Sequence, residues 1–163
     1  MASRVSPGLQ PEDFYHTGIV VPDLDAAMAR LSALAGYRWT TPLSYTLPFR
    51  TADGTRELTS TFVYSVQAPH VELIKEVRGS PWTAAQGTSV HHLGYFTDNL
   101  AESAKALEDN GFAFEMTAAV SESDLSLFAY YIDSCGTRIE IVDRALFPDF
   151  PAFLRSASIP PEG

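Results

Sequence analysis

The apolar and polar positions of this chain predict one arrangement of secondary structure that occurs twice. Residues 15–21 are β-branched and aromatic and stop at Pro22, which is typical of a strand. Apolar residues at helical spacing then predict a helix that begins near Leu24 and ends at Gly36. Further strand-like runs lie at residues 38–49 (interrupted by prolines), 58–66 and 70–77. The first half therefore reads βαβββ.

The second half repeats this order. Its predicted elements are a strand at 91–96, a helix at 100–109 and strands at 112–117, 127–132 and 138–142. We divide the chain into a flexible N-terminal arm (1–12), a first module (13–78), a Gly-, Ser- and Pro-rich connector (79–89), a second module (90–145) and a C-terminal tail (146–163). The aromatic tail is expected to pack on the protein or on a second subunit, with disorder only from about Ser156.

A histidine recurs in the first strand of each half. The sequence His16-Thr-Gly18 matches His92-Leu-Gly94, which lies 76 residues later. Alternation along a strand places the histidine and the glycine of each pair on the same face. The neighbouring His91 competes with His92 for the equivalent role, but only His92 keeps the spacing to the glycine.

A single glutamate also recurs, within the apolar last strand of each half. Glu72 lies in Val-Glu-Leu-Ile, and Glu140 lies in Ile-Glu-Ile-Val. A carboxylate among apolar neighbours is costly unless it is paired or binds a metal ion. If each half curls its sheet toward the other, two histidines and two glutamates converge. Such a mixed nitrogen and oxygen set suits a divalent transition ion such as Zn, Ni, Co, Mn or Fe(II).

Composition excludes several classes of partner. The chain has 163 residues, and 45% hydrophobic content is enough for a substantial core. A net charge of −9 opposes binding to nucleic acid or to an anionic membrane, although a local cluster of Arg50, Arg56, Lys75 and Arg78 could act against that sign.

Cys135 is the only cysteine, so an internal disulfide is excluded. Without a signal peptide or a membrane-length apolar run, a cytoplasmic protein is expected.

The repeated segments resemble the vicinal oxygen chelate superfamily, which includes glyoxalase I, methylmalonyl-CoA epimerase, extradiol dioxygenases and bleomycin-resistance proteins. The resemblance covers residues 14–145 and is closest to the epimerase and glyoxalase branch. It implies an α+β fold with two paired βαβββ modules, whose curled mixed sheets enclose a central cleft. It further implies one divalent metal ion held by His16, Glu72, His92 and Glu140, and often a homodimer.

The main functional hypothesis is metal-dependent proton transfer on a small-molecule substrate that chelates the ion through adjacent oxygens. This class includes isomerisation, epimerisation and lyase reactions, with Glu140 or Glu72 as the catalytic base. One alternative is an Fe(II) dioxygenase, which would leave Glu72 unexplained. Another is a non-catalytic protein that binds a drug or natural product and needs no metal ligands. A CoA thioester and an uncharged oxygenated molecule both remain open as substrates.

Overall fold

Eight strands close into one barrel in the computed structural model, which describes residues 8–84 and 90–160. The strands of the first half are β1 (Phe14–Val21), β2 (Leu43–Thr51), β3 (Gly54–Tyr64) and β4 (Val71–Lys75). Those of the second half are β5 (Val90–Thr97), β6 (Ala113–Ala118), β7 (Ser126–Ile132) and β8 (Arg138–Asp143). Each half has the predicted βαβββ order of elements.

The order of strands around the barrel is β1-β4-β3-β2-β6-β7-β8-β5. Each half therefore contributes four adjacent strands, and the halves join through the antiparallel pairs β1–β5 and β2–β6. Within each half, the first and last strands are parallel neighbours. The predicted α+β fold with curled mixed sheets around a central space is confirmed. Parallel pairing brings the strand that carries each histidine beside the strand that carries each glutamate.

The described residues form three α-helices, α1 (Leu24–Ala35), α2 (Leu100–Asp109) and α3 (Phe150–Ala157). Their first turns are closed by the side chains of Asp23, Asn99 and Asp149, each of which accepts a hydrogen bond from a backbone N–H. Helix α1 covers a core that includes Trp39 and Leu73, and α2 covers an equivalent core in the second half. Short 3₁₀ helices lie at Pro11–Asp13 and Arg144–Leu146.

The predicted flexible arm is attached to the fold where the structure describes it. Leu9 packs with the apolar cluster under α2, and the carbonyl of Gly8 accepts a hydrogen bond from the Ser103 hydroxyl at 3.1 Å. Sequence alone did not show this contact because it joins parts of the chain that are far apart. The rest of the arm, residues 1–7, lies outside the described residues, as do residues 85–89 of the connector.

The C-terminal tail packs on the protein, as predicted. Phe150 and Leu154 of α3 are buried in a cluster with Tyr64 and Phe96. The expectation of disorder from Ser156 is wrong for the described residues. Helix α3 continues to Ala157, and backbone hydrogen bonds attach the following residues to Trp39–Thr41 of the first half. Residues 161–163 lie outside the described part of the chain. Among the described residues, no helix is long and apolar enough to cross a membrane.

Candidate metal centre

The four predicted ligands meet inside the barrel, where β1 and β5 lie side by side. The cross-strand pairing aligns His92, Gly18 and Glu72 in one row and His16, Gly94 and Glu140 in the next. Each row therefore combines the histidine of one half with the glutamate of the other. All four side chains are buried, and none is more than 7% exposed.

The distances within this cluster are short. The two imidazole Nε2 atoms of His16 and His92 are 2.8 Å apart. Glu72 Oε2 lies 2.9 Å from His16 Nε2, and Glu140 Oε2 lies 3.0 Å from both Nε2 atoms. One ligand atom from each residue lies within 4.8 Å of all the others. Glu140 consequently lies between the two histidines, whereas the only short contact of Glu72 within the cluster is with His16.

This spacing fits a bound divalent ion. Two ligand atoms about 2.1 Å from one ion, at about a right angle, are about 3.0 Å apart, which is close to the contacts just described. Apart from its 3.0 Å contacts with the two imidazoles, Glu140 Oε2 is buried without a hydrogen-bond partner among the described residues. A buried carboxylate oxygen rarely lacks hydrogen-bond partners. An ion bound between the imidazoles and the carboxylates would give Glu140 Oε2 a partner. The cluster could therefore hold a metal ion.

The electrostatics of the cluster depend on mutual contacts as well as on burial. Burial alone would lower the pKa of His16, but the charge of Glu72 and hydrogen bonds to both glutamates raise that pKa to about 9. Burial would raise the pKa of Glu140, but the charge of His92 and the contact with His16 lower that pKa to about 2. Near neutral pH the metal-free cluster therefore holds a proton on His16 and an ionised Glu140.

His91 holds His92 in the tautomer that a metal ligand needs. His91 Nε2 lies 2.7 Å from the carbonyl oxygen of Pro81, which only accepts, so this nitrogen carries a proton. Burial, the charge of His92 and that of Arg138 lower the pKa of His91 to about 3, so the ring is neutral and its Nδ1 is an acceptor. His92 Nδ1, 2.9 Å away, must then donate. When His92 is neutral, as a metal ligand must be, the lone pair of its Nε2 is thereby directed into the cluster.

An irregularity in β5 makes this contact possible. Gly18 pairs with His92, but the next residue of β1, Ile19, pairs with Val90, so that one extra residue is inserted in β5. Without it, His91 and His92 would point to opposite faces of the sheet. Both are instead buried. The sequence indicated no ligand role for His91, because only His92 keeps the spacing to the glycine.

A cavity of about 290 Å³ opens above the cluster and has Glu72 and Glu140 in its wall. Its lining is mainly aromatic and aliphatic. The remaining lining residues are Tyr15, Tyr45, Leu47, Phe49, Ser60, Phe62, Tyr64, Ile74, Trp82, Leu127, Phe128, Tyr130, Val142, Leu146 and Phe147. The last two belong to the C-terminal part of the chain, so the tail forms part of the wall. An apolar cavity beside a convergent polar cluster is the usual form of a small-molecule site.

Three tyrosines stand close to the carboxylates: Tyr64 and Tyr130 are buried, and Tyr15 is partly buried. Burial, and then the charges of the two glutamates, raise the pKa of Tyr15, Tyr64 and Tyr130 well above the ordinary value. These phenols therefore stay protonated. The indole N–H of Trp82 donates to the Tyr130 oxygen at 3.1 Å, which leaves the phenolic proton of Tyr130 for another acceptor. The tyrosines can donate hydrogen bonds to an oxygen in the cavity but cannot accept its protons.

Other sequence candidates lie away from this centre. Three of the four basic residues considered above have separate positions: Arg50 donates to the backbone of Asp124, Arg56 donates to the carbonyl of Gly79, and Lys75 is exposed on another face. Cys135 is exposed in a turn and is not part of the cluster.

Comparison with known proteins identifies a family. The glyoxalase/bleomycin resistance protein/dioxygenase superfamily matches residues 15–130, a span that includes His16, Glu72 and His92 and ends before Glu140. A comparison with curated proteins finds no match.

Solved structures share the fold at low sequence identity. A variant of Streptomyces coelicolor methylmalonyl-CoA epimerase in complex with 2-nitronate-propionyl-CoA is 18% identical, with a TM-score of 0.52, and the alignment covers 80% of this chain and 96% of that one. The corresponding epimerase from Mycobacterium tuberculosis is 16% identical, with a TM-score of 0.52 and coverage of 80% and 87%. A hypothetical protein from Bacillus halodurans is 14% identical, with a TM-score of 0.50 and coverage of 80% and 92%.

Proposed function

Since the chain belongs to the glyoxalase/bleomycin resistance protein/dioxygenase superfamily, we propose that it is a metal-dependent enzyme that moves a proton on a small oxygenated substrate. Isomerisation, epimerisation and lyase reactions at a C–H group next to a carbonyl begin with this step. The observation that carries the proposal is the buried set of two histidines and two glutamates in the wall of an apolar cavity. Burying ionisable groups lowers the stability of the folded protein, so a buried set of this kind indicates a catalytic role and not a structural one.

His16, Glu72, His92 and Glu140 would hold one divalent ion, with Zn, Ni, Co, Mn and Fe(II) all compatible with the donors. When bound, such an ion polarises a carbonyl oxygen and thereby acidifies the adjacent C–H group. Four protein ligands leave positions for two substrate oxygens if the ion prefers six. The protein's own task is then to orient the substrate, exclude water and accept the proton.

The two glutamates are the candidate bases, and their contacts separate their tasks. Glu140 Oε2 lies 3.0 Å from both imidazoles, so its removal would disturb the whole cluster. Both glutamates line the cavity, but the only short contact of Glu72 within the cluster is with His16, at 2.9 Å. We therefore assign proton transfer first to Glu72, with Glu140 mainly holding the ion. A carboxylate beside the reacting carbon can move a proton with little displacement.

Protonated phenols on the cavity wall complete the arrangement. Because the pKa values of Tyr15, Tyr64 and Tyr130 are raised, their hydroxyl groups can donate to an oxygen that gains negative charge as the proton leaves. Their aromatic surroundings exclude water, which strengthens these hydrogen bonds.

The test combines metal analysis with proton exchange. Purified protein is analysed for bound metals, stripped with a chelator and reloaded, and exchange of substrate C–H groups is followed by NMR in D₂O. We expect exchange to disappear on stripping and return on reloading. Exchange that the chelator leaves undiminished would contradict the proposal. Bound iron with oxygen-dependent turnover would instead indicate a dioxygenase, and tight stoichiometric binding without metal would indicate a binding protein.

A homodimer and a cytoplasmic location stay predictions. Sedimentation velocity on the metal-loaded protein tests the first, and cell fractionation tests the second.

A further inference from the structure

We propose that the cavity takes a neutral, largely apolar molecule that carries two adjacent oxygens, such as an aryl hydroxyketone, and not an acyl thioester of coenzyme A. This inference deepens the proposed function, on which it rests. It concerns the substrate class of the same site, which the lining and the charge of the cavity indicate.

The walls of the cavity favour an apolar ligand. Phe62 and Phe128 lie on opposite halves of the barrel, and Phe49 and Trp82 close one side with their rings in an edge-to-face contact 5.0 Å apart. Aromatic walls of this kind stabilise an aryl or alicyclic group by burying it. The volume of about 290 Å³ is small for a ligand site, so that the buried part of the ligand must be compact.

The charge balance of the centre disfavours an additional anionic group. Among the described residues that line the cavity, the charged ones are Glu72 and Glu140, and both are acidic. Two carboxylates neutralise the charge of one divalent ion, so no positive charge is left over for a carboxylate on the substrate. Burying such a carboxylate without a cation would be costly.

The described residues at the mouth of the cavity give no phosphate-binding groups either. Tyr45 and Leu146 are the most exposed lining residues, at 51% and 43%, and neither is charged. The nearest arginines along β2 and β3 are engaged elsewhere: Arg50 lies over the Phe114 ring, 4.5 Å from its centroid, and Arg56 binds the carbonyl of Gly79. Recognition of phosphates normally depends on clustered basic side chains or on a helix N-terminus directed at them. Coenzyme A, which carries several phosphate charges, finds no such partners among the cavity-lining residues that the structure describes.

The polar groups of the wall suit neutral oxygens. Ser60, Tyr15, Tyr64 and Tyr130 each bring a hydroxyl group, which can donate a hydrogen bond, to the lining of the cavity. They can bind a carbonyl or hydroxyl oxygen without needing a counter-charge.

The test uses protein loaded with Co(II), whose visible spectrum reports ligand binding, together with calorimetry. Three probes are compared: phenyl hydroxymethyl ketone, hydroxyacetone and methylmalonyl-CoA. The first two carry the same pair of oxygens and differ in the phenyl group. We expect the phenyl ketone to change the cobalt spectrum and to bind at least about tenfold more tightly than hydroxyacetone, since the phenyl ring becomes buried. Methylmalonyl-CoA is expected to leave the spectrum unchanged.

A pair of matched variants ties this preference to the cavity. Phe128→Leu removes part of the aromatic wall, and Phe114→Leu makes the same change at a half-buried ring outside the cavity. The first variant should weaken binding of the phenyl ketone by about threefold to tenfold and leave hydroxyacetone unaffected. The second should bind both ketones like the unmodified protein.

The outcomes separate this inference from the proposed function. Binding of the phenyl ketone without C–H exchange in D₂O would support the substrate class and count against proton transfer. Binding and exchange of methylmalonyl-CoA alone would overturn the substrate class and support proton transfer. Absence of any spectral change with the phenyl ketone up to its solubility limit would also overturn the substrate class.

Discussion

Gly94 lies directly beneath the imidazole of His16, so close that a Cβ atom on Gly94 would be 2.1 Å from His16 Cε1. The same relationship holds in reverse, because a Cβ atom on Gly18 would be 2.1 Å from Cε1 of His92. Real Cβ atoms do not approach rings this closely. Each half of the chain thus supplies the space that the histidine of the other half occupies, which explains why His-x-Gly occurs twice.

Gly94→Ala is therefore predicted to weaken metal binding. The added methyl group forces the His16 ring away from the other three ligands, and we expect a loss of affinity of about tenfold or more, similar to other disturbances of ligand orientation. Competition with a chromophoric chelator measures the affinity. Thr17→Ala, a change on the same strand as His16 but outside the cluster, is the control. Unchanged affinity in Gly94→Ala would show that the ring does not need this position.

His91→Phe is predicted to weaken metal binding about tenfold to a hundredfold, because the Nδ1–H group of His92 loses its acceptor. His91→Gln should recover part of the affinity, since an amide oxygen can accept that hydrogen bond. NMR of the ring nitrogens of His92 should show a mixture of tautomers in the Phe variant.

The control for this prediction is His70→Phe. His70 bonds to the carbonyl of Ser65 and is not part of the cluster. Equal affinities for His91→Phe and the unmodified protein would remove the proposed positioning role of His91.

The sequence predicted the four residues of the cluster because their signals are local. A strand period of two places His16 and Gly18 on one face, and a lone glutamate in an apolar strand marks an unusual burial. The internal repeat then matched the two halves. These arguments need no knowledge of distant contacts.

The features that the sequence did not predict depend on contacts between distant segments. The inserted residue in β5 that brings His91 to His92 follows from pairing with β1 and has no turn or glycine to mark it. Closure of the barrel through β2 and β6 rests on three paired positions, of which Arg50 with Thr117 is one. The part of the cavity wall formed by Phe147 follows from docking of the tail. Local patterns carry no information on such long-range pairings.

Glu72→Gln and Glu140→Gln are predicted to fail in different ways. Glu72→Gln should keep metal affinity within about tenfold and lose C–H exchange by about a hundredfold or more, because an amide cannot accept the proton. Glu140→Gln should mainly lose metal affinity, because Glu140 contacts both histidines. Metal content and NMR exchange rates are measured on both variants.

Glu115→Gln serves as the control for both glutamates, because Glu115 pairs with Arg138 outside the cavity. It should retain metal affinity and exchange. If Glu72→Gln keeps full exchange at full metal occupancy, Glu72 is not the base.

The pH dependence of metal binding should report the proton on His16. Its pKa in the metal-free protein is raised to about 9 by the two glutamates, and this proton must leave before Nε2 can bind an ion. Apparent metal affinity should therefore increase about tenfold per pH unit up to pH 9 and level off above it, whereas an unperturbed histidine would level off near its ordinary pKa of about 6.5.

The stability of the metal-free protein should decrease as the pH rises, whereas the metal affinity increases. A folded-state pKa above the unfolded value gives a stabilisation that is complete below pH about 6.5 and is lost as the pH rises through about 9, in total about 3 kcal/mol. Urea unfolding of stripped protein at several pH values measures this loss, and the metal-loaded protein should not show it. In Glu72→Gln, where one source of the raised pKa is removed, both transitions should move to lower pH. Transitions that stay in place in this variant would show that Glu72 does not hold the proton on His16.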